Sequence, residues 1–199
     1  MPDSLNKIIL ASASPRRREL LTRENFNFCV FPSNAKEESE CDSDPRDLAL
    51  ANARLKAEEV SEKFPNCPVL GADTIVVLNG EVFGKPKDIA DAKRMLKILQ
   101  GKTHSVFTAI AILKKDAGIC DLSIDESKVA FKPMSDSQIG EYLEKVNVLD
   151  KAGAYAAQEF GELIIENIKG EFDNVMGLPC TLLKTRLNAL FGDFKIFLK

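Results

Sequence analysis

Short apolar runs alternate with helix-capping signals along the whole chain, and this alternation confines the fold more than any other feature. Residues 7–11 read as a short buried strand. Ser14-Pro15 then opens a helix, with serine as N-cap and proline at the first position, where a missing N–H costs nothing. Residues 25–31 read as a second strand, and the acidic, polar stretch 34–44 as a loop. Asp44-Pro45 repeats the cap, and Leu48, Ala51, Leu55 and Val60 give an apolar stripe to a helix running to about Phe64. Pro65 and Pro68 end it. A strand is predicted over 69–78, interrupted near Gly71-Ala72-Asp73, and Asn79-Gly80 is a two-residue hairpin turn leading to a return strand over 81–83. Asp88 caps a helix with Ala92, Met95, Leu96 and Leu99 on its buried face and Gly101 just past its end. Two long strands follow over 103–114 and 121–132. Ser135-x-x-Gln138 is a capping box for a helix through Lys145. A strand over 162–168 and a last helix from Pro179 through Phe191 complete the pattern. The alternation predicts an α/β fold, and the hairpins predict that its sheet is mixed. A length of 199 residues fits one domain, at most two small lobes.

Composition removes several classes of function. A net charge of −3 excludes a strongly basic nucleic-acid binder. The longest aliphatic run, 109–113, is far short of the roughly 20 residues of a membrane span. Met1-Pro2-Asp3-Ser4 lacks the charged and apolar regions of a secretion signal. The cysteines at 29, 41, 67, 120 and 180 are widely spaced, with no Cys-x-x-Cys, so a zinc ribbon or redox pair is not expected. Scattered thiols fit the reducing cytosol, and a cytoplasmic location is the expectation. His104 is the sole histidine. Histidine-rich metal sites are therefore excluded, and His104 itself reads as structural rather than as a base.

Five places could carry chemistry. Ser12-Ala13-Ser14-Pro15-Arg16-Arg17 lies where a strand ends and a helix begins. Unpaired N–H groups and the helix dipole suit an anion there, and two hydroxyls with two guanidiniums strengthen a phosphate site. Asp73, among small and apolar neighbours, needs a cation or hydrogen bonds if buried. It could hold Mg²⁺ or activate water, or it could be a turn aspartate bonding its own backbone. Glu37 or Glu38 could supply a second metal ligand, and Lys56 and Lys85 could neutralise phosphate oxygens. Gly80–Lys85 is one residue short of a P-loop, and no G-x-G-x-x-G occurs.

Taken together, the segments resemble the Maf family of nucleoside triphosphate pyrophosphatases. The match rests on Ser12-x-Ser14-Pro15-Arg16-Arg17-x-x-Leu20-Leu21, Lys56-Ala57, Gly71-Ala72-Asp73-Thr74-Ile75-Val76, Gly84-Lys85-Pro86, Gly101-x-x-His104-x-Val106-x-Thr108, Asp150-Lys151-Ala152-Gly153-Ala154-Tyr155-x-x-Gln158 and Asn174-Val175-x-Gly177-Leu178-Pro179. The resemblance implies hydrolysis of a nucleoside triphosphate to monophosphate and pyrophosphate with a divalent cation, Mg²⁺ or Mn²⁺. It implies one domain over 1–199: an elongated, twisted mixed sheet flanked by helices, in two lobes with a central cleft, similar to the inosine triphosphate pyrophosphatase fold. It also implies a homodimer. By position, Asp73 is the catalytic carboxylate, joined by Glu37 as metal ligand and by Lys56 and Lys85 around the phosphates; Glu37 is preferred to Glu38 by counting from Leu20-Leu21. Ser12, Ser14, Arg16 and Arg17 would bind substrate. Asp-Lys-Ala-Gly-x-Tyr-x-x-Gln resembles the branch acting on dTTP and UTP, where Arg16, Thr74 and Gln158 would set base choice. Glu159-Phe160 follows Gln158 where that branch usually has glycine. The other reading is a nucleotide-binding regulator of cell division, since the family is linked to septum formation.

Overall fold

The computed structural model describes residues 6–38 and 44–199. Seven strands form one mixed sheet: β1 (Ile8–Leu10), β2 (Phe28–Val30), β3 (Val69–Leu78), β4 (Glu81–Phe83), β5 (Thr103–Lys114), β6 (Ile119–Phe131) and β7 (Ile165–Lys169). Their order is β2-β1-β3-β5-β6-β7, with β4 paired to β3. β1 is parallel to both β2 and β3, whereas β3–β4 and β6–β7 are antiparallel. Helices α1 (Pro15–Arg23), α2 (Pro45–Ser61), α3 (Ile89–Leu99), α4 (Asp136–Lys145), α5 (Phe172–Met176) and α6 (Cys180–Phe191) complete the α/β architecture. No helix among the described residues is long and apolar enough to cross a membrane.

Chain contacts divide the molecule into two compact units. One is drawn from the chain up to Asp73, from Thr108–Asp125 and from Gly177–Lys199; the other is Thr74–Phe107 with Glu126–Met176. In the first, α1 starts where the sequence places it: Ser14 accepts from the Arg17 N–H, and Leu20 and Leu21 turn inward with Phe26 and the three residues of β1. The chain end is stitched to the same region. Phe26 bridges Leu198, and the Asn27 N–H donates to the Phe197 carbonyl at 2.7 Å. The second unit has a core of its own, built on Leu96 and Leu99 of α3, Phe131, Ile139 and Tyr142. The capping box of α4 is complete on both sides, and Asn79 and Gly80 both take positive φ, as a two-residue hairpin requires.

Three expectations are corrected. β3 is continuous from Val69 to Leu78; Gly71 is not a break but a point of contact, as described below. Ala51 and Leu55 are only half-buried on α2. The buried stripe is instead Leu48-Ala49, Asn52-Ala53, Lys56-Ala57 and Val60-Ser61, rotated so that three polar side chains face inward. The strand predicted over 162–168 begins later, at Ile165, because Gly161–Leu163 forms a single 3-10 turn.

Candidate active site

The site in the first unit is built on the meeting of α2 with β3. A Cβ at Gly71 would lie 2.2 Å from the Ala53 carbonyl oxygen and 2.9 Å from the Ala57 Cβ. Only glycine lets the two backbones approach so closely, and Ala53 and Ala57 present the smallest side chains to it. This approach sets Lys56, on the same buried face, opposite the strand residue Asp73. Lys56 Nζ lies 2.6 Å from Asp73 Oδ1, and it donates to the Ala72 carbonyl at 3.3 Å. The side chains of Lys56 and Asp73 keep only 10% and 9% of their exposure. At this depth a bare charge is untenable, so each ion is the condition for the other.

Glu37 joins them from the loop after β2, with Oε1 3.2 Å from Lys56 Nζ. Its neighbour Glu38 is fixed differently, through its backbone. The Glu38 N–H donates to Asn52 Oδ1 at 2.8 Å, and Asn52 Nδ2 donates back to the Glu38 carbonyl at 2.9 Å. Buried Asn52 thus pins the loop, and the Glu37 carboxylate reaches the lysine. Asn52 was not singled out in the sequence, yet a signal exists: Asn52 and Lys56 stand one turn apart among alanines and aliphatics.

A second set surrounds the start of α1. Arg17 is buried. Its Nε donates to the Gly177 carbonyl at 2.8 Å and its Nη1 to Ser12 Oγ at 3.0 Å. Gly177 has φ 110°, a conformation that other residues rarely adopt, so its carbonyl is presented by a turn particular to glycine. Burial pulls the Arg17 pKa down; Asp73 pulls it up, Arg16 down and Glu37 up. Arg17 therefore feels both carboxylates of the neighbouring cluster. Ser12 Oγ also accepts from the Ser14 N–H at 3.3 Å. Ser12 and Ser14 line a cavity of about 620 Å³ with Arg18, Thr22 and Arg23, so the helix start is open to an anion.

Arg16 is half-buried on α1 in the first unit, and the other predicted residues lie in the second. Thr74 directly follows Asp73 and is half-buried; Lys85 is exposed; Gln158 is half-buried, its Nε2 donating to Glu159 Oε1 at 3.3 Å. His104 behaves as a structural residue. Its Nε2 lies 3.0 Å from the Tyr155 hydroxyl, its ring stands edge-on to Phe131 and Tyr155, and burial holds its pKa down at about 4. Buried Asn174, quoted in the last family block without a role, donates through its Nδ2 to the Val106 carbonyl and to Ser127 Oγ, both at 3.0 Å.

The geometry joins Ser12, Arg17, Glu37, Lys56 and Asp73, taken from four separate sequence blocks, in one unit. The family model described as "Maf-like protein" matches residues 7–190. The chain belongs to the Maf family. Among curated Maf relatives, a protein from Pyrococcus furiosus named dTTP/UTP pyrophosphatase is 45% identical over 179 residues, 90% of this chain and 93% of that protein. One of the same name from Akkermansia muciniphila is 44% identical over 183 residues, 92% of this chain and 96% of that protein. Among solved structures, a HAM1 protein from Coxiella burnetii aligns with a TM-score of 0.46 at 16% identity, covering 63% of this chain and 72% of that one.

Proposed function

We propose that this chain hydrolyses nucleoside triphosphates, dTTP and UTP among them, to the monophosphate and pyrophosphate. One observation carries the reading: Lys56 Nζ stands 2.6 Å from Asp73 and 3.2 Å from Glu37. Three residues assigned to metal and phosphates from separate segments thus converge on one point. The substrate names come from the relatives.

The donor set fits a hard divalent cation, because two carboxylates from different segments already converge on a single positive charge. Glu37 and Asp73 would hold it, and when bound it supplies positive charge to the triphosphate and a more acidic water. Asp73 takes the proton of the water that attacks the α-phosphorus. Lys56 holds that carboxylate in place from the α2 side. Arg17, fixed by Ser12 and Gly177, and the positive end of the α1 dipole offset charge growing on the leaving pyrophosphate. Lys85 in the same role, and Arg16, Thr74 and Gln158 as readers of the base, are carried over from the family resemblance. So are the single two-lobed domain, a homodimeric state and residence in the cytoplasm.

The test is product analysis. With Mg²⁺ or Mn²⁺ and UTP or dTTP in ¹⁸O-water, the expected products are monophosphate and pyrophosphate, with the label on the monophosphate. Inorganic phosphate and a diphosphate would mean attack at the γ-phosphorus and would overturn the reading.

A further inference from the structure

Gln158 and the acidic residue that follows it form a polar pair with an unusual property. Gln158 Nε2 donates to Glu159 Oε1 at 3.3 Å. The same carboxylate oxygen lies 3.9 Å from Lys151 Nζ. Lys151 is itself buried and anchored: it donates to the Asn147 carbonyl and, at 2.9 Å, to Asp150 Oδ1. Glu159 is therefore held from one side by a fixed cation and meets the Gln158 amide on the other.

A side-chain amide can turn over, exchanging its oxygen and nitrogen at little cost. An ionised carboxylate removes that freedom, because it only accepts hydrogen bonds and so must face the nitrogen. The amide oxygen is then set on the side away from Glu159. Gln158 Oε1 is buried and makes no hydrogen bond among the described residues. Buried acceptors are ordinarily hydrogen-bonded, so this oxygen is available to accept from a ligand N–H.

We infer that Glu159 is a positioning residue for base selection: it fixes the Gln158 amide with its oxygen away from Glu159, as an acceptor for a ring N–H. This rests on the reading that Gln158 meets the base. Uracil and thymine carry an N3–H donor that satisfies Oε1, and the second Nε2 hydrogen remains for the neighbouring carbonyl O4. Cytosine presents a lone pair at N3, which opposes Oε1. It could be accepted only with the amide reversed, and reversal turns Oε1 against a carboxylate.

The experiment measures kcat/KM for UTP and CTP in the wild type, Gln158→Glu, Glu159→Ala and Glu159→Lys. Releasing the amide in Glu159→Ala is expected to lower the UTP-to-CTP ratio about ten-fold, the equivalent of roughly one hydrogen bond. The decisive readout is an absolute rise in kcat/KM for CTP, which damage to the fold does not produce. Glu159→Lys, offering a donor where there was an acceptor, should lower the ratio further. Equal losses on both substrates, or an unmoved ratio in both Glu159 variants, overturns the role of Glu159. If Gln158→Glu moves the ratio while the Glu159 variants do not, Gln158 reads the base without this support. If Gln158→Glu leaves the ratio unmoved, the base-reading premise falls, and the positioning role with it.

Discussion

Lys56 and Asp73 in the first unit, and His104 and Tyr155 in the second, are buried to a similar depth, yet the two pairs meet the loss of water differently. The first pair meets as an ion pair at 2.6 Å, with Glu37 as a further anionic neighbour. The second pair stays uncharged: burial holds His104 down to about 4 and raises the Tyr155 pKa, and their contact is a neutral hydrogen bond among aromatic rings. A chain can bury polar groups by pairing charges or by suppressing them. Paired charges remain available to chemistry, whereas suppressed ones serve packing. The contrast separates the site from the scaffold more sharply than burial alone.

The largest effect should come from removing charge where it is paired. Asp73→Asn is expected to lower kcat by about 10²–10⁴-fold, since the amide takes no proton and gives less charge to a cation. Far-UV circular dichroism should be unchanged. Retention of more than about a tenth of wild-type kcat would remove Asp73 from the role of base.

Next comes Lys56→Met, which leaves Asp73 without its ammonium. Stripping one partner from a buried pair costs about 3–5 kcal/mol, so the melting temperature should fall clearly. Mg²⁺ should then restore more stability to the variant than to the wild type, because the two carboxylates are left without their cation. Equal Mg²⁺ shifts in both proteins would mean that Lys56 and the metal do not share these ligands.

A smaller effect is expected from the neutral pair, and it is visible only in acid. The folded pKa of His104 is depressed to about 4. Above about pH 6.5 neither folded nor unfolded His104 binds a proton, and its contribution is constant. As pH falls from there to about 4, the unfolded chain takes up a proton that the folded chain refuses, and stability is lost; below about 4 the loss levels off. Relative to His104→Gln, the wild type should lose about 3 kcal/mol across this window, measured by urea unfolding at a series of pH values. Parallel profiles for the two proteins would break the contrast drawn above.

What the sequence made legible was local chemistry. Ser14-Pro15, Asp44-Pro45, Asn79-Gly80 and Ser135-x-x-Gln138 act through their own backbone neighbourhood, and each lies where its spacing places it. Gly71 was misread because a glycine in a strand signals either a break or a close approach, and only the partner helix decides which. Ala51 and Leu55 were taken for the buried face because apolar residues normally mark it. Here that face carries Asn52 and Lys56, whose burial makes sense only once Glu38 and Asp73 are opposite them. The carboxylates and arginines expected at the site came from the family resemblance, Glu37 by counting from Leu20-Leu21. Asn174 and Gly177 stood inside those blocks but without a role, and Asn52 outside them, because their contacts join segments distant in the chain.

The close packing at Gly71 also has a mechanical consequence. With the helix backbone against the strand, α2 and β3 behave as one jaw of a vice, and Lys56 and Asp73 travel together on it. Glu37 is the other jaw; its side chain is 42% exposed, and its loop is tethered to α2 through Asn52. If Glu37 and Asp73 hold a cation as proposed, the half-exposed Glu37 side chain, rather than the buried aspartate, would adjust to ions of different radius.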